Sequence, residues 1–391
     1  MDKIKFLDLG KQPIANGFLN DTKEFNDEFF YNLSVGYDVD TALITHMNYV
    51  DADRMFNDNY AYRGSMSATM RLHFATLSES LQKDLDYNPQ VLEIGSNDGV
   101  FIKNWYQDRT FAVEPCGNFA KETNNMGYET YQQFWDMDTS NTILHDQGEM
   151  DLVFAANCMC HIPDIDQAFQ AVENILADDG LFVFEDPSAA DMVALTSFDQ
   201  IYDEHPHIFS VIALNNILNR NNMSIVKVEH LNVHGGSNRI YAKKGFNHEQ
   251  HPSVNGNLEF ERNMGLDSIS IFEEFSQNVF QSKWELLHLL SKFESNNQKV
   301  ISYGATSKST TIFNYCGITT DLIKYITDTT PEKQGKYSPG VHLPIVSPEE
   351  GFDNTVDVAF LGAWNFAEEI KGKEKDFTGK FITHVPAVGF V

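Results

Sequence analysis

The feature that most constrains this chain is an alternation of short apolar strands with helices between residues 90 and 187. "QVLEIGS", "FAVEP", "MDLVFAANCM" and "LFVFEDP" read as four strands, with "DIDQAFQAVENILADDG" as a helix between the last two, stopping at Gly180. Such alternation implies a parallel sheet with helices on both faces. The helical "VIALNNILNRNN" follows. After it, "MSIVKVEHLNV" and "NRIYAKK" form an expected antiparallel hairpin closing the sheet edge. Before the alternation, residues 1 to about 75 are short apolar segments broken by Asn, Asp and Gly. Within them "KQPIANGFLN" reads as a loop and "NLSVGYDVDTALITHMNYV" as strands with turns. "SATMRLHFATLSESLQKDL" has a helical pattern. Beyond residue 250, "DSISIFEEFSQNVFQSKWELLHLLSKFES" is a long amphipathic helix that links to a second, smaller α/β unit.

Composition narrows the partners. The 391 residues carry a net charge of -28, which argues against nucleic acid as a partner, because a phosphate backbone needs a basic face. No apolar run is long enough for a membrane span, and "MDKIKFLDLG" lacks a signal-peptide core, so a cytoplasmic protein is expected. The four cysteines, Cys116, Cys158, Cys160 and Cys316, form no C-x-x-C pair, so neither a disulfide framework nor a zinc site is expected. "NCMCH" reads as a buried strand end, since free Cys packs as a small apolar residue.

"LEIGSNDGV" follows a strand and opens a helix. Gly95 and Gly99 allow a tight turn and close approach of a ligand, while Glu93, Ser96, Asn97 and Asp98 offer donors and acceptors. This is not the G-x-G-x-x-G of a dinucleotide loop. Two acids suit a pyrophosphate poorly and a cationic cofactor such as S-adenosylmethionine well. Glu114, ending "FAVEP", is placed for ribose hydroxyls. Asn157 and His161 fall at the carboxyl end of the third strand, where ligands sit, although a lone His there is often structural. "IYDEHPHIFS" follows the fourth strand over the same rim and brings Tyr202, Glu204 and His205. "HGGSNRIY" adds His234 and Arg239, the latter free to meet a phosphate or a carboxylate. In "SYGATSKSTTIFNY" the helix start with Ser309 and Lys308, together with Lys333 and Lys336 of "TTPEKQGKYSPG", forms a candidate anion site or a solvated loop.

Seven stretches carry a family likeness: "LDLGKQPIANGFL", "YAYRGSMS", "LEIGSNDG", "IYDEHPHIFS", "HGGSNRIYA", "YGATSKSTTIFNY" and "KQGKYSPGVHLPI". In this order, over nearly the whole chain, they resemble the sugar C-methyltransferases of deoxysugar biosynthesis, which act on nucleotide-linked 4-keto-6-deoxy sugars. The resemblance implies three parts. Residues 1–75 would be a small N-terminal module of a degenerate zinc-binding type, its cysteines replaced. Residues 76–250 would be a class I, Rossmann-like S-adenosylmethionine-dependent methyltransferase domain. Residues 251–391 would be a linker helix and a C-terminal Rossmann-like domain binding the nucleotide sugar. The resemblance also carries the catalytic stretch onto Tyr202, Glu204 and His205, with His161 beside it, and brings Tyr60 or Tyr62 over from the N-terminal module.

The chemistry fits these residues. A neighbouring ketone acidifies a carbon-bound proton, and a His is a suitable base near neutral pH. His205 is the expected base, Glu204 orients or tunes it, and Tyr202 or His161 hydrogen-bonds the developing oxyanion. The resulting enolate would attack the methyl group of S-adenosyl-L-methionine. The rival readings are a non-catalytic module binding cofactor or nucleotide sugar, and an O- or N-methyltransferase acting on another metabolite. The nucleotide (dTDP, GDP or CDP), the methylated carbon and the choice between monomer and dimer are not written in the sequence.

Overall fold

A computed structural model describes residues 3–58, 60–85 and 88–391. Its central sheet has seven strands, in the order Met223–Leu231, Ser237–Lys244, Leu176–Pro187, Met150–Ala156, Val91–Ile94, Thr110–Val113, Glu129–Tyr131. The last five run parallel, and Ser237–Lys244 is antiparallel to both of its neighbours. The four expected strands and the edge hairpin are all there. Val91, Leu92, Val153, Phe154, Val183 and Phe184 are fully buried, as strands covered on both faces require. Glu129–Tyr131, an edge strand of three residues, escaped the sequence reading because "ETY" has no apolar alternation.

Two local expectations need correcting. The helix capped by Asp164 ends at Ile175, not Gly180. Leu176 already pairs with Met150, and Leu181 resumes the ladder opposite Leu152, so residues 177–180 bulge out between them. A Cβ on Gly180 would lie 2.9 Å from the Ala177 carbonyl oxygen, so this glycine serves the bulge rather than a helix cap. Likewise, "KQP" is not loop. Strand Lys3–Pro13 runs through it, pairing Lys11 with Asn32 and Pro13 with Phe30. Pro13 is tolerated at the end of an edge strand.

The N-terminal sheet has four strands, and the fourth, His207–Ile208, comes from "IYDEHPHIFS". It pairs with Ile44–His46, so the stretch expected to carry chemistry is stitched into the neighbouring module. The C-terminal unit is a six-stranded sheet, parallel except for its last strand Gly389–Phe390. The long helix Ile269–Ser295 is more than a linker. Phe272 packs against the rings of Phe6 and Tyr37 from the N-terminal sheet, at centroid distances of 5.2 and 5.3 Å. One apolar core continues from Leu9 and Val35 through Phe184 to Phe313 and Phe360. Helix Ala68–Leu85 runs unbroken across residue 75. Among the described residues no helix is long and apolar enough to cross a membrane.

Candidate active site

A cleft of about 770 Å³ opens where the carboxyl ends of both parallel sheets face each other, roofed by residues from the N-terminal module. On the central-sheet side, Gly95 turns at φ 73° and Asn97 at φ 47°. A Cβ on Gly95 would sit 2.8 Å from Cys158 Sγ, so only glycine fits. Glu114 accepts the Asn97 and Cys116 N–H groups at 2.7 and 2.8 Å and still lines the cleft. Glu93 is buried, and its Oε2 and the Ser96 hydroxyl have no protein partner. Burial pushes the Glu93 carboxyl well up, and the nearby Glu114 and Asp98 add to it. An acid-rimmed pocket with orphaned acceptors fits a cationic ligand that brings hydroxyl and ammonium donors. Glu93, Gly95, Ser96, Asn97, Glu114 and Asn157 all line the cleft.

Asp98 and Gly99 do not line it. Asp98 accepts the Ser65 N–H at 3.2 Å and the Ser65 hydroxyl at 2.6 Å, while Asn97 Oδ1 accepts the Gly64 N–H at 3.0 Å. These bonds draw "YAYRGS" down over the loop. A Cβ on Gly99 would instead meet Thr123 and Met126, at 3.2 and 3.3 Å.

The opening between the two halves holds Tyr202 and His205. Gln200 O accepts a hydrogen bond at 2.8 Å from His205 Nδ1. A carbonyl can only accept, so Nδ1 carries the proton, and Nε2 of the neutral ring accepts from the Tyr202 hydroxyl at 2.7 Å. Burial holds the His205 pKa well below the usual histidine range, with His161 and Lys308 adding to the effect. The ring is therefore neutral and an acceptor at Nε2. His161 stacks on it at 5.2 Å and on Phe56 at 5.4 Å. Burial lowers the His161 pKa to about 3, and its Nε2 has no protein partner.

Glu204 does not orient His205 as expected. Its carboxylate accepts from Asn16 Nδ2 at 2.6 Å and from the Tyr60 hydroxyl at 2.8 Å, both from the N-terminal module. Asp203 beside it accepts the Ala15 N–H at 2.9 Å. Among the described residues, Cys160, His161 and His205 each place one ligand atom within 4.8 Å of the others, the only grouping of that kind. Both ring nitrogens of His205 already have partners, so this trio is a poor resident metal site.

On the opposite wall, Lys308, Lys333 and His234 line the cleft, while Tyr62 lines it beside the Gly95 loop, its carbonyl accepting from Asn97 Nδ2 at 3.0 Å. Lys333 Nζ donates to Ala305 O at 2.8 Å, and Lys308 heads the helix Ser307–Cys316. Three expected ligands lie elsewhere. Ser309 is spent in a capping box with Thr306. Arg239 is buried in ion pairs with Glu185 and Glu229 at 2.6 and 2.9 Å, so its partner is a carboxylate and not a phosphate. Lys336 stands outside the cleft. Sequence reasoning missed Asn16 and Gln200. Asn16 lay inside "QPIANGF" and Gln200 directly before "IYDEH", so proximity to those stretches was the available signal.

Comparison with known proteins bears on the family. Residues 62–228 match a family model described as a methyltransferase domain, and residues 232–386 one described as a C-methyltransferase C-terminal domain. "C-methyltransferase NovU" of Streptomyces niveus is 30% identical over 393 residues, spanning 98% of this chain and 93% of that protein. Solved structures resemble the chain more loosely. The CurJ carbon methyltransferase shares 15% identity with a TM-score of 0.36, covering 48% of this chain and 57% of its own. The CcbJ methyltransferase from Streptomyces caelestis shares 11% identity with a TM-score of 0.35, covering 44% and 91%. Such loose likenesses have no bearing on function. The NovU match, at that identity along nearly the full length of both proteins, places this chain in the family of S-adenosylmethionine-dependent C-methyltransferases, as an enzyme.

Proposed function

We propose that this enzyme methylates a carbon beside a ketone on a nucleotide-linked deoxysugar, with His205 removing the proton. The observation that carries the reading is the Tyr202–His205 pair, hydrogen-bonded at 2.7 Å where the acid-rimmed and lysine-bearing walls meet. Bound in the acid-rimmed half, S-adenosylmethionine would supply an electrophilic methyl group. Glu114 and Glu93 would hold its hydroxyl and ammonium donors, and the Gly95 turn would let it approach the backbone.

His205 then acts at Nε2, the nitrogen without a proton. A strongly depressed pKa would make a free imidazole a poor base. In the cleft, however, the proton moves from a neutral carbon acid to a neutral ring, and the imidazolium forms beside the enolate it has created. Their attraction in a water-poor site offsets the burial that otherwise disfavours the cation. Tyr202, released from Nε2, has its hydroxyl free to donate to the enolate oxygen. His161, stacked on His205, keeps the ring from tilting. Lys308, Lys333 and the helix start at Ser307 favour a diphosphate on the far wall.

The division at residues 75 and 250 belongs to the same proposal. So do a cytoplasmic location, a monomer or dimer, no nucleic-acid partner, and an N-terminal module that folds without zinc. The relative NovU is named only as a C-methyltransferase, so the sugar rests on this chain's second wall and its sequence stretches. The test is mass spectrometry of a panel of dTDP-, GDP- and CDP-linked keto-sugars incubated with cofactor. A carbon-bound methyl gain on one of them is expected. Methylation confined to oxygen or nitrogen, or none on any sugar, would overturn the reading.

A further inference from the structure

Gln200 ends the turn Phe198–Gln200, and Ser197, Asp199 and Gln200 are all 0% exposed. Its carbonyl accepts a hydrogen bond from His205 Nδ1–H, so the placing of this turn decides which imidazole nitrogen is left as acceptor. The turn is held from the C-terminal unit. Trp364 Nε1 donates to Asp199 Oδ2 at 2.6 Å. His384 Nε2 lies 3.3 Å from Asp199 Oδ1, outside hydrogen-bond geometry. Lys308 Nζ donates to Gln200 Oε1 at 3.2 Å and to His234 O at 3.0 Å, and it lies 5.4 Å from the centroid of the Trp364 ring.

A fully buried carboxylate is costly unless several partners meet it. Burial alone would raise the Asp199 pKa, but His384, Lys308 and Trp364 outweigh it and keep the group ionised. The chain also leaves space for the indole. Gly235, at φ 93°, stands where any Cβ would collide with the Trp364 ring. Asp199, Trp364 and His384 do not line the cleft, whereas Lys308 and Gln200 do, and all of them converge on the turn that holds His205.

We propose that Trp364 and Asp199 are positioning residues for His205: the C-terminal unit fixes the turn 197–200 and, through the Gln200 carbonyl, selects the Nδ1–H tautomer that aims the Nε2 lone pair at Tyr202 and the cleft. The opposite tautomer would present an N–H where a lone pair is needed, which disables a base without displacing it. The assignment rests on His205 being the base, and its test is chosen so that the two can fail separately.

Trp364→Phe keeps the ring over Lys308 and removes only the donor to Asp199. Asp199→Asn keeps size and removes the charge. Nitrogen-15 NMR of histidine-labelled enzyme, with His205 identified by the signals lost in His205→Asn, reads the tautomer directly. Wild type should show a protonated Nδ1 and an unprotonated Nε2. Both variants should mix the tautomers and lower kcat about tenfold or more, while cofactor Kd and sugar KM stay within about twofold. A structural role alone would not move those nitrogen signals. If both variants fold by circular dichroism and the His205 signals match wild type, the proposal is wrong. If the signals move as expected while His205→Asn still removes the substrate proton, the positioning network stands and the base assignment alone falls.

Discussion

The two parallel sheets that face the cleft begin alike and then diverge. After Val91–Ile94 the chain turns at Gly95 (φ 73°), and after Val300–Tyr303 it turns at Gly304 (φ 98°). In each sheet, an acid ending the next strand accepts a loop amide at 2.7 Å: Glu114 from Asn97, and Asp328 from Ala305. Glu114 is then joined by Asp98, which deepens the negative field, and by the buried carboxyl of Glu93. Asp328 instead has Lys333 at 4.0 Å, and the Gly304 loop whose amide it accepts runs straight into the start of helix Ser307–Cys316. On the reading proposed above, the shared backbone turn fixes where a ligand lies, and the surrounding side chains choose the sign of charge it carries.

The largest expected effect lies where the two walls meet. His205→Asn should lower methyl transfer by about 10²–10⁴-fold, the usual contribution of a general base, with cofactor binding intact by calorimetry. Next come substitutions that separate the walls. Gly95→Val forces a branched residue into a positive-φ turn against Cys158, and strain of about 1–3 kcal/mol predicts cofactor affinity weaker by about tenfold or more. The sugar should bind as before, read by calorimetry without cofactor. Lys333→Ala should do the reverse, raising sugar KM several-fold (about 1 kcal/mol) with cofactor Kd unchanged. Lys308 is a poorer probe because it also holds Gln200. Equal losses for both ligands in either variant would break the comparison.

Smaller still is Glu204→Gln. Replacing one of its two acceptor oxygens by an NH2 group removes the charge and one of the charge-assisted bonds from Asn16 and Tyr60, which loosens the N-terminal roof and should cost about 1–2 kcal/mol of stability, read as a lower Tm, with a modest fall in rate. The smallest expected effect is of metal removal. No cysteine occurs before residue 116, so elemental analysis should find no stoichiometric zinc, and chelators should leave Tm unchanged.

What the sequence made legible was local. The Gly95 turn and Glu114 were readable because a strand, a glycine and an acid ending the next strand imply one another in a parallel sheet. The hairpin Met223–Leu231 with Ser237–Lys244 was readable from its own alternation. Long-range partnerships were not. Glu204 lies 188 residues from Asn16, and nothing in "YDEH" says that its carboxylate turns toward the roof rather than toward the next residue. Asp98 looked like a ligand because it sits in the cofactor loop, yet it is spent on Ser65. For Arg239 the sequence left a phosphate and a carboxylate open, and folding chose by placing Glu185 opposite it in the adjacent strand.

The central claim is that His205 takes a carbon-bound proton before any methyl moves. The direct measurement is deuterium uptake by the keto-sugar in heavy water, with enzyme present and cofactor absent or replaced by its demethylated product. Deuterium should enter only at the carbon later methylated, and His205→Asn should abolish that uptake while still binding the sugar. Normal uptake in His205→Asn would contradict the account and make His161, stacked 5.2 Å away, the next residue to test.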